Sequence, residues 1–340
     1  MDERDESLRE KHALMEAGAP GQDPYEPIMA LIRREVDPSL WEEKGTLDVP
    51  EWLCPVPPAA AGGDILVEKF VSFIDQDGCR AYADRVGDLV AEIFPHIPCM
   101  IAIDHSLSGG AFKRLAELYS PDDLSFVVLD SHTDAMPMSV LSGAIGYDME
   151  TNPNSPYDPE DPFIFNRPES YNASSFLYHL LEEGVVEPEN LYVLGISDYP
   201  PKRSFRIKDR RIRRYVGLYS ALKRQGVKLI TKKDILTSPS RLRTLLNRIG
   251  TPYMYVSIDL DIGSRNALEG VRFRDRHGLS ERQIYTLVGY LEECLSQGVG
   301  LAGLDLNEIN PRTVSSGPDR TYRIAANLIR KLGFYLPEVE

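Results

Sequence analysis

Three side chains of types that commonly bind metals recur at every second residue where an apolar segment ends. The segment is residues 126–129, and the side chains that follow it are Asp130, His132 and Asp134. In extended backbone a period of two residues places all three on one face of the chain. Two carboxylates and an imidazole in one small volume would leave costly unpaired charge, which a bound cation offsets most simply. A solvated acidic loop is the alternative interpretation.

Other side chains of the same types follow three further apolar segments. They are His105, the pair Asp259 and Asp261, and Glu308. Each lies where a predicted strand gives way to a loop. Ligands of open parallel sheets bind at the carboxyl ends of the strands. Four such clusters at one sheet edge therefore favour a metal site over chance.

The three clusters richest in ligands supply two imidazoles and four carboxylates, which are His105, Asp130, His132, Asp134, Asp259 and Asp261. This set is too large for one tetrahedral zinc ion. It suits two divalent ions about 3.5–4 Å apart, whose charge four carboxylates would balance and which would share a hydroxide as nucleophile. Oxygen-rich ligands favour Mn²⁺, although other divalent metals would compete for the site. We therefore expect two Mn²⁺ ions per subunit.

The sequence that must position these residues alternates between strand-like and helical patterns. Apolar strand-like runs lie at residues 99–103, 125–129, 191–196, 227–230, 253–258 and 299–304. The alternation predicts an α/β fold, a three-layer α-β-α arrangement with a mostly parallel central sheet. The runs are continuously apolar, as expected of strands covered on both faces.

Composition limits the possible partners and compartment. The chain has 340 residues and a formal net charge of −14, which argues against sequence-independent nucleic-acid binding because that binding needs a basic surface. Its four cysteines show no CxxC spacing, so reduced thiols are expected. No apolar run approaches membrane-spanning length, and the acidic first residues do not resemble a secretory signal. We expect a cytoplasmic protein that does not bind membranes.

Three segments differ in composition from the rest. Residues 1–51 hold fourteen acids and six bases, so we divide the chain into an acidic N-terminal extension (residues 1–60) and a catalytic domain (residues 61–340). Residues 150–170 carry five prolines and cannot form regular structure. Residues 202–214, the basic stretch, hold eight bases and one acid. This stretch could contact the acidic part of a neighbouring subunit, bind an anionic substrate or ligand, or form a solvated helix face.

Together the motifs resemble the ureohydrolase family, which includes arginase, agmatinase and formimidoylglutamase. The resemblance covers residues 96–335 and rests on four motifs in the family's order: Asp-His-Ser at 104–106, Asp-Ser-His-Thr-Asp at 130–134, Ser-Ile-Asp-Leu-Asp at 257–261 and Gly-Leu-Asp-Leu-Asn-Glu-Ile-Asn-Pro at 303–311. It implies an arginase/deacetylase-like fold and a binuclear-manganese hydrolase of linear C–N bonds in small molecules. It also implies a homo-oligomer, either a trimer or a hexamer.

The resemblance assigns roles to individual residues. One ion would bind His105, Asp130, Asp134 and Asp259, and the other Asp130, His132, Asp259 and Asp261. Asp130 and Asp259 would therefore bridge the two ions. Asp134 would also orient the metal-bridging hydroxide that attacks the substrate carbon. Glu308 would accept hydrogen bonds from the guanidinium group, and the products would be urea and an amine. Ser257 is expected to support the cluster rather than act as a nucleophile, because no Ser-His-Asp arrangement is visible.

Two departures from the family pattern affect the substrate. The family's proton-shuttling histidine is missing: its position in the agmatinase alignment falls at Asn172-Ala173, and the loop expected at residues 142–147 has no histidine. His277 is the catalytic candidate to replace it, with Tyr147 and His179 as weaker ones. Pro200 stands where arginase has the aspartate that holds its substrate's amino group. These departures argue against L-arginine as the substrate.

The expected activity is therefore hydrolysis of a guanidino or amidino compound other than L-arginine, in an agmatinase-like reaction. A metal hydrolase of another amide or formimino substrate is one alternative. A metal-binding protein without turnover is the other.

Overall fold

The fold is built on one six-stranded parallel sheet. A computed structural model describes residues 5–17, 23–54, 57, 65–263, 267–271, 278–310 and 320–335. The strands are β1 (Cys99–Ile101), β2 (Leu124–Leu129), β3 (Leu191–Ile196), β4 (Lys228–Thr231), β5 (Tyr253–Asp259) and β6 (Gly300–Asn307). Their order across the sheet is β1-β6-β5-β2-β3-β4, and every pairing is parallel.

Helices cover both faces of the sheet. They are α1 (Asp5–Glu16), α2 (Tyr25–Glu35), α3 (Val67–Asp75), α4 (Gly78–Ile93), α5 (Leu107–Tyr119), α6 (Met138–Thr151), α7 (Phe176–Glu182), α8 (Arg210–Gln225), α9 (Lys232–Thr237), α10 (Pro239–Leu246), α11 (Glu281–Ser296) and α12 (Arg320–Gly333). Among the described helices, none has the length and apolar character that a membrane span needs.

Alternate side chains of β2 pack on opposite faces of the sheet. Val127 and Leu129 join the core beneath α2, α10, α11 and α12. Phe126 and Val128 join the core beneath α4, α5, α7 and α8. This alternation follows from the two-residue period of a strand. It confirms the predicted three-layer α/β fold, and the ends of each predicted strand lie within three residues of the observed ends.

The prediction of a loop at residues 142–147 is wrong, because these residues lie inside α6 and Tyr147 is helical. Gly143 and Gly146 weaken a helical pattern, since glycine destabilises a helix interior by roughly 0.5–1 kcal/mol relative to alanine. In the structure, both glycines face the side chain of Arg211 on α8: a Cβ on Gly143 would lie 3.5 Å from its Cβ and Cγ. The packing of α6 against α8 thus explains a helix that local propensity does not predict.

The proline-rich segment forms no helix or strand after Thr151, as predicted, but it is firmly packed. Phe163 is buried in a small apolar cluster, the N-terminal cluster, with Leu8, Trp52, Leu53, Ile65 and Phe70. Four residues later, Arg167 Nε donates to Asp75 Oδ1 over 2.9 Å, and only 4% of the Arg167 side chain is exposed.

The first part of the chain packs against the sheet domain. Ile28, Met29 and Ile32 of α2 are buried in the same core as α12. Glu35 pairs with Arg330 Nη1 of α12 over 2.6 Å. The boundary at residue 60 stays a prediction.

Candidate metal centre

The sheet register places two predicted ligands, Asp130 and Asp259, next to each other at the carboxyl ends of their strands. Ile258 of β5 pairs with Leu129 of β2 on one side and with Leu306 of β6 on the other. The next residue along β2 is therefore Asp130 and the next along β5 is Asp259, so both carboxylates leave the sheet side by side. Three short parallel strands that end together thus create the site.

A first group of ligand atoms surrounds His105, which is fully buried. Its Nδ1 lies 3.1 Å from Asp130 Oδ2, 3.0 Å from Asp134 Oδ2 and 3.5 Å from Asp259 Oδ2. Neither His105 Nδ1 nor Asp130 Oδ2 has a hydrogen-bond partner among the described residues. Adjacent ligands on an octahedral ion with bonds of about 2.1 Å are roughly 3 Å apart. The group has the spacing of metal ligands without the geometry of hydrogen bonds.

A second group surrounds His132, whose side chain is 43% exposed. Its Nδ1 lies 2.9 Å from Asp261 Oδ2 and 3.6 Å from Asp130 Oδ1. Asp261 Oδ2 is also buried without a hydrogen bond to any described residue. Asp130 therefore faces the first group with Oδ2 and the second with Oδ1, which is the arrangement of a bridging carboxylate.

The potential ligands form two sets that share Asp130: His105, Asp130, Asp134 and Asp259, and then Asp130, His132 and Asp261. Asp259 groups with the first set only. Its Oδ1 accepts the Asp261 backbone N–H over 2.7 Å. A bridging role for Asp259 therefore stays a prediction.

Backbone amides hold the carboxylates in place. The N–H of His132 donates to Asp130 Oδ1 over 2.7 Å, and the N–H of Ser131 donates to Asp261 Oδ1 over 3.2 Å. His132 and Asp130 both follow β2, whereas Ser131 follows β2 and Asp261 follows the adjacent strand β5. Each carboxylate therefore keeps its second oxygen for another partner.

The electrostatics of the site show how much negative charge it concentrates. Burial, and then the charge of Asp130, raises the pKa of Asp134 well above its usual range. Burial, and then the charges of Asp261 and Asp130, does the same to the pKa of Asp259. Burial alone would lower the pKa of His105, but the surrounding carboxylates raise it well above its usual value. Without a metal the site therefore retains protons, which divalent cations can replace.

A second layer of buried side chains orients His105. Its Nε2 lies 2.9 Å from Ser257 Oγ, and Ser257 Oγ donates to Asp305 Oδ1 over 2.6 Å. Asp305 also accepts hydrogen bonds from the Tyr255 hydroxyl and from Asn307 Nδ2. Because the serine proton points to Asp305, Ser257 Oγ accepts the Nε2–H of His105. When the imidazole is neutral, the Nδ1 lone pair is then left facing the carboxylates, as metal ligation requires.

Replacing Ser257 with alanine is expected to weaken Mn²⁺ binding about 10–100-fold, the usual cost of losing a partner that orients a metal-binding histidine. Isothermal titration calorimetry of the metal-free protein measures the effect. Ser125→Ala is the matched control, because Ser125 is also a buried strand serine but bonds Thr251 Oγ1 over 2.8 Å. Equal Mn²⁺ affinity in both variants would contradict the orienting role.

Two of the predicted catalytic residues have unusual backbone conformations. Asp134 has φ 45° and Glu308 has φ 60°, a region that costs non-glycine residues roughly 1–3 kcal/mol. Glu308 Oε1 accepts the backbone N–H of His105 over 3.0 Å. The Asp134 carbonyl accepts the N–H of Leu177 over 3.0 Å. Backbone strain at these two positions is typical of functional sites.

Sequence reasoning missed Asp198, which fastens the metal-binding loop. Its Oδ1 lies 2.7 Å from Thr133 Oγ1, and its Oδ2 accepts the Thr133 N–H over 3.0 Å. The Tyr215 hydroxyl donates to the Asp198 carbonyl over 2.9 Å. Thr133 lies between two predicted ligands, so Asp198 is a positioning residue. The available signal was an acid two residues beyond a strand adjacent to β2.

The residue at the position of the missing histidine, Asn172, and the two weaker candidates for proton transfer, Tyr147 and His179, lie within the described chain. Asn172 uses its side chain to close its own turn, where Oδ1 accepts the Ser174 N–H over 3.0 Å. Tyr147 lies beneath Arg211, and His179 packs beside the Tyr171 ring. In the part of the chain that the structure describes, none of the three side chains hydrogen-bonds a predicted ligand. His277 lies outside the described residues, so its role stays a prediction.

Comparisons of the sequence and of the fold with known proteins point to the same family. A protein-family model described as the arginase family matches residues 55–334. An arginase of Staphylococcus aureus is 23% identical over 256 residues, 72% of each chain. The fold is similar to proclavaminate amidino hydrolase from Streptomyces clavuligerus, with 18% identity, TM-score 0.52, and 75% of this chain and 71% of that chain covered. It is also similar to Trypanosoma cruzi formiminoglutamase with Mn²⁺, with 14% identity, TM-score 0.52, and 77% and 72% covered.

Proposed function

Because this chain belongs to the arginase family, we propose that it hydrolyses a linear C–N bond of a guanidino or amidino compound other than L-arginine, using two divalent metal ions. From a guanidino compound the products are urea and an amine. One observation carries the proposal: two groups of imidazole and carboxylate atoms share Asp130, and three of these atoms, His105 Nδ1, Asp130 Oδ2 and Asp261 Oδ2, are buried without a hydrogen bond to any described residue. Such atoms are costly to bury unless a cation binds them.

The donor set fits two Mn²⁺ ions. The first group offers one imidazole nitrogen and three carboxylates, and the second offers one imidazole nitrogen and two carboxylates. Oxygen-rich sites of this kind suit Mn²⁺, and the T. cruzi relative was solved with that metal. When bound, two such ions supply Lewis acidity and lower the pKa of water to near neutrality.

The protein's own residues position the reactants. Asp134 Oδ2 belongs to the first group and lies 3.0 Å from His105 Nδ1, where it can accept a hydrogen bond from the attacking water and hold its orientation. Glu308, buried and fixed by the His105 N–H, can accept hydrogen bonds from a planar guanidinium. The two carboxylates thus hold the nucleophile and the trigonal carbon together, which lowers the entropic part of the barrier.

The reaction balances with one water molecule. Its oxygen adds to the guanidinium carbon, the bond from that carbon to the substituted nitrogen breaks, and the leaving amine takes the proton. In the proposed reaction Asp134 holds that proton in transit. His277 remains our candidate for passing it to the amine.

The test is direct. Purified Mn²⁺-loaded protein should release urea and an amine in equal amounts from at least one member of a broad panel of guanidino compounds, and little from L-arginine. Ammonia or formamide without urea would instead indicate a formimino or amide substrate. Metal binding without any product would indicate a protein that binds metals but has no turnover. A homo-oligomer of three or six subunits remains part of the proposal, and light scattering would test it.

A further inference from the structure

The basic stretch (residues 202–214) is fastened to the metal centre at its first end. The N–H of Ser197 donates to the Ser131 carbonyl over 2.8 Å, and Asp198 holds Thr133 through two hydrogen bonds. Four residue steps separate Asp198 from Lys202, and they span at most roughly 14 Å. The first bases of the stretch are therefore confined to the edge of the sheet where the ligands lie.

The other end of the stretch is fastened to α6, which begins four residues after Asp134. Arg211 donates from Nη1 and Nη2 to the two carboxylate oxygens of Glu150, over 2.7 and 2.6 Å. The same guanidinium lies over the ring of Tyr147. Glu150 is the last but one residue of α6, so the basic stretch is tied to the metal-binding loop at its first end and to the far end of α6 at its other end.

The remaining bases are not fixed by ion pairs with described residues. Apart from Arg211, all are exposed and make no ion pair or side-chain hydrogen bond with a described residue: Lys202, Arg203, Arg206, Lys208, Arg210, Arg213 and Arg214. Three of them lie in the first turns of α8, where positive charge opposes the helix dipole. Their placement does not stabilise the fold, which suggests a ligand outside it.

The charges of the two regions are opposite. With two divalent ions, the four ligand carboxylates and Glu308 leave a net charge of about −1 at the metal centre, which attracts a guanidinium. The basic stretch carries +7 in a chain that is otherwise strongly acidic. Within about one to two Debye lengths such a charge attracts anions and repels cations. A substrate that matches both regions has a positive end and a negative end.

We propose that the substrate carries an anionic group, such as a carboxylate, remote from its guanidino or amidino carbon, and that the basic stretch attracts and orients this group. The inference rests on the proposed function and narrows it. A guanidine that ends in an amino group, such as agmatine, is disfavoured as a substrate because its free ammonium would face the basic stretch. Selectivity arises from that repulsion as well as from attraction.

Three compounds of equal length separate the possibilities: 5-guanidinopentanoate, pentylguanidine and agmatine, which end in a carboxylate, a methyl group and an ammonium. With Mn²⁺-loaded enzyme we expect kcat/KM to fall in that order. The carboxylate should exceed the amine by at least about 10-fold at low ionic strength, within the range of electrostatic steering. High salt should narrow the difference because it screens exposed charges.

The variant K202A/R203A should lose about 10-fold in kcat/KM for 5-guanidinopentanoate and bring the carboxylate and amine closer together. The control K233A/R248A removes the same two charge types from exposed positions elsewhere and should keep the original ratio. A binding measurement is independent of turnover: the Asp134→Asn protein should bind the carboxylate about 10-fold more tightly than agmatine, and adding K202A/R203A should remove the difference.

The outcomes are distinguishable. Urea released from agmatine or pentylguanidine as readily as from the carboxylate would overturn this inference and leave the proposed function standing. No urea from any guanidino compound would overturn the proposed function and this inference with it. A change of oligomeric mass in K202A/R203A, with the substrate ranking unchanged, would assign the stretch to a subunit contact and overturn the inference.

Discussion

Replacing Asp134 with asparagine is expected to lower kcat by about 10²–10⁴-fold, the usual loss when a group that handles the reacting proton is removed. Asparagine has the same shape and tolerates positive φ better than most residues, so the backbone at φ 45° should be retained. The variant loses a charged oxygen that faces both His105 and the attacking water. Urea release measures the activity of the variant, and inductively coupled plasma mass spectrometry measures its metal content.

Asp77→Asn is the matched control for that variant. Asp77 also has positive φ, 60°, but it is exposed at the start of α4. It should retain full activity and both ions. An Asp134→Asn protein that kept both ions and full activity would show that Asp134 does not orient the nucleophile.

Stability should depend strongly on metal and on pH. A divalent ion at about 100 times its dissociation constant stabilises the native state by about 2.7 kcal/mol, so two ions contribute roughly 5 kcal/mol. We therefore expect EDTA to lower the melting temperature by several degrees and Mn²⁺ to restore it. Differential scanning calorimetry of the metal-free and Mn²⁺-loaded protein measures the shift.

The direction of the pH effect follows from the protonation of the metal-free site. The pKa values of Asp134 and Asp259 are raised, first by burial and then by neighbouring carboxylates. Carboxylates also raise the pKa values of His105 and His132 against the effect of burial. A native state that binds more protons than the unfolded chain loses stability as pH rises.

The metal-free protein should therefore melt at a lower temperature at pH 8 than at pH 6, since this interval lies above the ordinary carboxyl pKa and spans that of histidine. The lowered pKa of Asp130, where the two histidines outweigh burial, acts only in more acidic solution. Because Mn²⁺ displaces protons, its stabilising effect should increase over the same interval.

Two histidine variants test the origin of this effect. His105→Asn should lose most of the Mn²⁺-induced shift, whereas His96→Asn, at an exposed position, should keep it. A shift that is independent of pH, or unchanged in His105→Asn, would contradict the two-group site.

The grouping of the candidate ligand residues could be predicted from the sequence because their pattern is local. An acid or histidine at the first polar position after an apolar strand must lie at the strand's carboxyl end, and parallel register then brings neighbouring ends together. The pairing of Ile258 with Leu129 and Leu306 confirms that expectation. Local patterns suffice where geometry depends only on periodicity.

Features that depend on distant contacts could not be predicted in this way. The helical state of residues 142–147 depends on the side chain of Arg211, which fills the space beside two glycines. The role of Asp198 depends on its hydrogen bonds to Thr133, 65 residues earlier. Neither partner is identified by sequence spacing, because such contacts are set only when the sheet has assembled.

The N-terminal cluster has a consequence for how substrate preference can change. Phe163 packs among side chains from residues 8–70, and Arg167 is paired with Asp75. Glu169, two residues further on, accepts the N–H of Ser139 at the start of α6. Exchanging the proline-rich segment by itself between homologues would therefore break these contacts. A graft of residues 150–170 would have to bring the partners of Phe163 and Arg167 with it, so substitutions in these two parts of the chain should be coupled.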